Sequence, residues 1–466
     1  MSEKKYDLVV IGGGPGGYVA AIRASQLGLN TALVEYENLG GVCLNWGCIP
    51  TKALLKTAEV YRNIKDAEKY GLKVSGVEYD LDKIVGRSRN IAGQLSTGVT
   101  GLLKKNKVEV IKGFGRLLGD GRVNVARDQA SSFDFSAENI IIASGARARV
   151  LSGLEPDGEL IWTYKEAMTP DIMPKKLLVV GSGAIGIEFA SFYNTLGAEV
   201  TVIEVLPHIL PTEDIEISEL ARKLFEKDGI DFITKAKLTS FKKKKETLTA
   251  VINIDEKAHE LDFDKVIMAV GIQGNHENLG LENTMVKVEK GHIVTDQWNA
   301  TAETGVYAIG DIVGPPWLAH KASHEGIICV ERIAGKKKTH PLDKNKIPGC
   351  TYSHPQIASV GLTEAQAIEK GFDIKVGRFP FVGNGKAIAL GEPEGLIKTV
   401  FDASNGELLG AHMIGTEVTE LIQGYSIGMT LETTEAEIIE TVFPHPTLSE
   451  MMHESVLNAY ERAIHY

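Results

Sequence analysis

One pattern occurs twice in this chain and restricts its fold more than any other feature. Near the N-terminus an apolar run, Tyr6-Asp-Leu-Val-Val-Ile11, meets Gly12-Gly-Gly14-Pro-Gly-Gly17. An alanine-rich stretch from Tyr18 to Leu27 follows, closed by Gly28, and then Thr31-Ala-Leu-Val-Glu35. Farther on, Lys176-Leu-Leu-Val-Val180 meets Gly181-Ser-Gly183-Ala-Ile-Gly186. Ile187 to Leu196 is closed by Gly197, and Glu199-Val-Thr-Val-Ile-Glu204 comes next. Short apolar runs of this kind suit buried parallel strands, and a glycine just past a helical stretch marks its end. Each copy therefore reads as β-α-β around a G-x-G-x-x-G turn, with an acid 23 residues after the first glycine (Gly12 to Glu35, Gly181 to Glu204).

A lone G-x-G-x-x-G occurs in many surface turns. Two copies in register with strand, helix, strand and acid predict two Rossmann-like dinucleotide-binding domains. The helix that follows each turn offers unsatisfied N–H groups and a partial positive charge, which a pyrophosphate complements. Gly12, Gly14 and Gly17, like Gly181, Gly183 and Gly186, remove side chains that would hold the phosphates away. Glu35 and Glu204 are placed to accept from ribose hydroxyls. At the second site an acid repels a 2′-phosphate, and Val205-Leu-Pro-His208 supplies no arginine to replace it. That site is expected to prefer NAD over NADP.

At 466 residues the chain exceeds one compact core, so about two to four domains are expected. Asn139-Ile-Ile-Ile-Ala-Ser-Gly-Ala146 and Gly305-Val-Tyr-Ala-Ile-Gly310-Asp311 are strands ending in small residues that let backbone approach a ligand. The second follows the second β-α-β unit, which makes the first domain discontinuous. From about Lys346 the texture changes. Cys350–Pro355, Lys375–Val382 and Leu396–Phe401 read as strands, and Thr363–Lys370 and Gly415–Met429 as helices, without a further fingerprint.

The net charge of −11 argues against a nucleic-acid groove. The basic run Lys242–Lys245 has no interleaved aromatics and reads as a solvated turn between strands. No apolar run approaches the length of a membrane span, and the N-terminus lacks a secretory pattern, so a cytoplasmic protein is expected.

There are four cysteines. Cys329, in an apolar run, reads as a small buried hydrophobe, and Cys350 has a plain structural reading. Cys43 and Cys48 differ, because they stand just after the first fingerprint, amid Gly40, Gly41, Gly47 and Pro50. On a regular helix, residues five apart rise about 7.5 Å, beyond the usual span of about 4.4–6.8 Å between bridged Cα atoms. A bridged pair therefore needs an irregular segment at Cys43, which Gly40, Gly41, Gly47 and Pro50 supply. A dithiol beside a nucleotide site points to electron transfer, with metal ligation as the alternative.

The segment Gly40-Gly-Val-Cys-Leu-Asn-Trp-Gly-Cys-Ile-Pro-Thr-Lys-Ala-Leu54 closely resembles the redox-active disulfide motif of the pyridine nucleotide-disulfide oxidoreductases. The resemblance extends over essentially the whole chain. Thr351-Tyr-Ser-His-Pro-Gln-Ile-Ala-Ser-Val-Gly-Leu-Thr-Glu364 and Pro444-His-Pro-Thr-Leu-Ser-Glu450 are most similar to the branch that oxidises dihydrolipoamide. It implies an α/β chain with FAD-binding parts at 1–148 and 276–345, the latter a central domain. An NAD-binding domain at 149–275 and an α+β interface or dimerisation domain at 346–466 complete it.

The resemblance further implies that the first fingerprint holds FAD and the second NAD. Gly115, Asp311 and Ala319 match further FAD contacts, and Gly271 a nicotinamide-side position. Cys43 matches the thiol that exchanges with substrate and Cys48 the one that meets the flavin. Lys52 and Glu188 match an ion pair near the flavin. His445 matches a base supplied by the partner subunit of a homodimer, and Glu450 the acid that orients it. Thr447-Leu-Ser-Glu450 also reads as a capping box before a helix from Met451. The implied substrate is dihydrolipoamide on a lipoylated acyltransferase (E2) of a 2-oxo-acid dehydrogenase complex, or on a glycine-cleavage lipoyl protein. Either would be another chain.

Some positions depart from the family pattern. Gly271-Ile-Gln-Gly-Asn275 stands for the usual Gly-Arg-x-Pro-Asn, Phe443 where a second His is common, and Pro444 where Ala is common. A mercuric reductase would add a C-terminal cysteine pair, and the chain ends Glu461-Arg-Ala-Ile-His-Tyr466. A glutathione reductase would favour NADPH, against Glu204. A purely structural docking subunit, or an NADH:acceptor flavoprotein, would leave Cys43 and Cys48 idle.

Overall fold

The first β-α-β unit forms because its strand residues are apolar on both faces and its helix is rich in small side chains. In the computed structural model, which describes residues 4–127 and 131–466, the elements run β1 (Lys5–Ile11), α1 (Pro15–Gln26) and β2 (Thr31–Glu35). They continue with α2 (Gly41–Trp46), α3 (Cys48–Lys65), α4 (Leu81–Lys105), β3 (Glu109–Lys112), β4 (Phe114–Gly119), β5 (Arg122–Ala126) and β6 (Ser132–Ile142). The sheet order is β3-β2-β1-β6-β5-β4. β1 pairs in parallel with β2 and β6, and β2 with β3. β4, β5 and β6 form an antiparallel meander. The strand Val306–Ala308 returns to pair in parallel with β6. Leu8, Val9 and Val10 of β1 are fully buried, one set facing each side of the sheet.

The chain divides into two units. The first gathers the residues up to Ala53, Asp82–Arg149 and Gly271–Leu342. The second gathers Leu54–Leu81, Val150–Val270 and Asp343–Tyr466. In the second unit the strands Ile230–Ile233, Glu199–Ile203, Lys176–Val180, Lys265–Met268 and Ile161–Trp162 lie in that order, all parallel. A three-stranded antiparallel sheet, Ala236–Lys243, Leu248–Ile254 and Lys257–Phe263, belongs to the same unit. Its C-terminal part is a five-stranded antiparallel sheet carrying the helices Val418–Thr430 and Glu450–Ala459.

Three details differ from expectation. Lys242 and Lys243 belong to a strand rather than a turn, and Lys242, Lys243 and Lys244 pair with Glu260, Asp157 and Asp262. The strand Leu408–Gly415 is buried along its whole length, so it lacks the polar alternation that would betray a strand. The helix after it starts at Val418, later than Gly415. Among the described residues, no helix is long and apolar enough to cross a membrane.

Candidate active site

The two glycine-rich turns are built alike. A Cβ on Gly12 would overlap the carbonyl of Ala143, and one on Gly181 that of Ala269. A Cβ on Gly17 would overlap the carbonyl of Gly12, and one on Gly186 that of Gly181. Gly17 and Gly186 let each helix sit tight against its own turn, and Gly12 and Gly181 admit the backbone just past a neighbouring strand. The middle glycines serve something else. Gly14 and Gly183 are the N-caps of their helices, yet a Cβ on Gly14 would meet only Gly41 Cα, at 3.9 Å, and one on Gly183 nothing within 4 Å. The protein itself does not fill the space they leave, which lies at a helix N-terminus where a pyrophosphate fits.

The acids also correspond. Glu35 accepts from the Gly13 N–H at 2.7 Å with one oxygen and from the Glu37 N–H at 2.7 Å with the other. Glu204 accepts from the Ser182 N–H at 3.0 Å and its hydroxyl at 2.7 Å, and from the Leu206 N–H at 3.0 Å. Both carboxylates are buried. Burial raises the Glu35 pKa above the usual range, opposed by its backbone donors. Each acid thus braces its glycine turn and retains acceptor capacity for a ribose hydroxyl. Val205 and Leu206, just past Glu204, are exposed apolar side chains.

The cysteine segment sits directly on the first turn. Gly40 (φ 90°) and Gly41 (φ 56°) bend the chain into α2, and a Cβ on Gly41 would lie 2.7 Å from Gly14 Cα. The break between the cysteines falls at Gly47, one of the four residues expected to supply it, and not at Cys43 itself. Cys43 lies inside α2, Gly47 (φ −147°, ψ −117°) ends it, and Cys48 opens α3. A Cβ at Gly47 would press on the carbonyl oxygen of Val42 at 3.1 Å. Breaking the helix there brings the two partly buried sulfurs to 2.7 Å. In the dithiol, the hydrogen bond with Cys48 and then burial push the Cys43 thiol well up, while Lys52 pulls it down.

Asp311 lies in the turn Gly310–Val313, and Ala319 starts the helix Ala319–Ile333. That turn is held by a buried ion pair the sequence reading missed. Lys321 donates to the carbonyls of Gly310 (3.2 Å) and Gly314 (2.9 Å) and pairs with Glu325 at 3.1 Å, and Glu325 accepts from the Gly310 N–H at 2.8 Å. A Lys–Glu pair four residues apart in the helix that follows Asp311 was the available signal. Burial raises Asp311 above the usual carboxylate range, with Lys321 opposing it. Gly115 is buried in β4, where a Cβ would press on Ile11 at 3.1 Å. The Gly271 carbonyl accepts from the Arg149 N–H at 3.0 Å, and Ile272–Gly274 pairs with Ala146–Ala148. Lys52 lies one turn into α3. Glu188 is buried in the helix Ala184–Thr195 and accepts from the Tyr352 N–H at 2.9 Å.

His445 Nδ1 meets Glu450 Oε1 at 3.0 Å, and Glu450 Oε2 accepts from the Thr447 N–H at 2.9 Å. Glu450, first residue of the helix Glu450–Ala459, therefore serves both readings at once: half of a capping box and a partner for the histidine. The Thr447 hydroxyl donates to the Pro444 carbonyl instead of closing the box. Burial works against Glu450 ionising, yet the Thr447 N–H and His445 hold its pKa below the usual range. The His445 side chain is 80% exposed, leaving Nε2 open to a visitor.

The pyridine nucleotide-disulphide oxidoreductase profile matches residues 6–326, and the dimerisation domain of the same family matches 347–456. The chain belongs to this family. It is 55% identical to a dihydrolipoyl dehydrogenase of Rhizobium etli over 100% of both chains. It is 56% identical to one of Zymomonas mobilis, over 99% of both. The crystal structure of LpdA from Mycobacterium tuberculosis superposes with a TM-score of 0.90 at 26% identity, covering 96% of this chain and 98% of that one.

Proposed function

We infer that this flavoenzyme oxidises dihydrolipoamide to lipoamide and reduces NAD, through the Cys43–Cys48 pair. The observation that carries it is the packing of Gly41 against Gly14, which seats the two adjoining sulfurs beside the first fingerprint turn. The family membership and the full-length relatives support the same reaction.

Gly14 and the Glu35 carboxylate would hold FAD, and Gly183 and Glu204 would hold NAD. Bound FAD supplies a two-electron acceptor for the reduced cysteines and a hydride donor for NAD. Glu450 keeps the His445 Nδ1 proton in place, so Nε2 carries the lone pair and takes a proton from one substrate thiol. That thiolate attacks Cys43 Sγ, the Cys43–Cys48 bond breaks, and Cys48 leaves as thiolate. The second substrate thiol then attacks the substrate sulfur of the mixed disulfide, its proton passing to Cys43, which forms the lipoamide S–S bond and releases Cys43 as the thiol. Cys48 stands at the N-terminus of α3, where the helix favours negative charge.

The exposed His445 serves the cysteine pair of the partner subunit in a homodimer. The dimerisation domain supports that assembly, and Ile427, Leu431 and Val442 expose large apolar side chains in the same region. The lipoyl group arrives on an E2 acyltransferase or a glycine-cleavage lipoyl protein. The test is turnover of dihydrolipoamide with NAD against glutathione with NADPH, for the native enzyme and Cys48→Ser. Lipoamide formation with NAD, lost by at least about 1,000-fold in a Cys48→Ser enzyme that keeps FAD, is expected. Full activity in that variant overturns the mechanism.

A further inference from the structure

α2 is six residues long, too short to hold its shape unaided. Its start is held by Asn45, whose Nδ2 donates to the carbonyls of Gly41 (2.9 Å) and Leu39 (3.1 Å), and by Ser96, whose hydroxyl donates to the same Leu39 carbonyl at 2.9 Å. Beyond its end, the Thr51 hydroxyl donates to the Gly47 carbonyl at 2.7 Å. Between these anchors lies the Asn45–Trp46 peptide, midway between the cysteines. It is held by α4, a helix that starts more than thirty residues later in the chain.

Arg89 of α4 donates from Nη2 to the Asn45 carbonyl, and its guanidinium lies 4.4 Å from the centre of the Trp46 ring. Its neighbours continue the contact, Ser88 donating to the Pro50 carbonyl at 3.1 Å and Arg87 to the Ala53 carbonyl at 2.9 Å. A flat guanidinium can bond a carbonyl in its plane while stacking a ring on its face. An ammonium cannot do both. The carbonyl it bonds is near the C-terminus of α2, where a cation is favoured.

We propose that Arg89 is a positioning residue for the Cys43–Cys48 pair, clamping the intervening turn through the Asn45 carbonyl and the Trp46 face so that ring closure costs little entropy. The proposal rests on the redox reading of that pair. Closing a bridge across a turn already bent is easier than across a loose one, so loss of the clamp penalises the bridged form. Arg89 variants should therefore be easier to reduce. A role through charge alone predicts the reverse, since removing a cation near a thiolate penalises the reduced form.

The FAD-loaded enzyme is equilibrated with dithiothreitol buffers of graded ratio, alkylated, and the bridged fraction read by mass spectrometry. The native enzyme must first show a reversible pair, and its absence defeats the redox reading itself. Given that pair, Arg89→Met and Arg89→Lys should both shift the equilibrium about 10-fold toward the dithiol, equal to about 30 mV. Trp46→Leu should shift it less in the same direction and add little to Arg89→Met, because the two contacts form one unit. FAD content checks the fold, and Trp46→Leu carries the test if Arg89 variants lose FAD. Native behaviour in Arg89→Lys, a shift toward the disulfide in Arg89→Met, or an unchanged equilibrium in all variants overturns the proposal.

Discussion

The two fingerprint regions share a chassis and diverge immediately after it. In both, the outer glycines are required by the protein's own backbone, the middle glycine opens onto unfilled space, and the acid ties down the residue after the first glycine. After Glu35 the chain turns back, and Gly41 settles against Gly14 with the cysteines behind it. After Glu204 it exposes Val205 and Leu206, then passes through the partly buried Glu213 toward the helix Ile215–Lys227. The turn is thus a nucleotide holder of general use. The segment after the acid gives the first site its sulfur chemistry and leaves the second as a docking place.

The sharpest way to break that comparison is a side chain at each middle glycine. Gly14→Val should yield protein without bound FAD and activity down at least about 1,000-fold, measured by the flavin absorbance of the purified enzyme and by turnover. Gly183→Val should keep FAD and raise the KM for NAD at least about 100-fold, or about 2.7 kcal/mol. If both variants lose the same ligand, the two turns do not divide the work.

A second measurement concerns Glu213, where the second region buries a carboxyl oxygen without a partner. Burial pushes its pKa up to about 7, with Ser359 opposing and Asp214 adding to the rise. Its unfolded value is 4.5, so between about pH 5 and 7 the unfolded chain has released this proton and the folded chain still holds it. Stability from this group therefore falls as pH rises through that window and levels off above it. Glu213→Gln should flatten that dependence and gain about 2 kcal/mol at pH 8, read from urea unfolding across pH. A native enzyme whose stability rises with pH over the same window, with the variant tracking it, would show that Glu213 is ionised throughout.

The smallest effect separates the acids. Glu204→Gln should raise the KM for NAD about 10-fold, or about 1.4 kcal/mol, and narrow its preference over NADP without loss of FAD. Glu35→Gln should weaken FAD retention and leave the KM for NAD near its native value. Steady-state kinetics with both nicotinamides and a flavin-release assay decide it, and crossed effects would undo the pairing of acid to ligand.

Much of the chassis was legible because it is written locally. Gly17 and Gly186 meet the Gly12 and Gly181 carbonyls five residues back, and strand and helix periods locate all four, although Gly12 and Gly181 themselves meet the distant Ala143 and Ala269 carbonyls. The need for a bend between Cys43 and Cys48 was also legible, from spacing alone. Gly47 was one of four residues that could supply it, and which of them breaks the helix depends on the Val42 carbonyl folding back toward Gly47. The strand Leu408–Gly415 escaped for a different reason: with both faces buried it shows no alternation.

The order of residues by itself determined the duplicated nucleotide holder, the pairing of two thiols with the first copy, and the acid that follows each turn, since all three are short-range patterns of size and charge. Only the tertiary structure decided where the helix between the cysteines breaks, that Glu450 divides its two oxygens between Thr447 and His445, and that Arg89 grips Asn45 from another helix. The last joins atoms far apart along the chain, and the first two depend on which backbone conformation the packed segment takes.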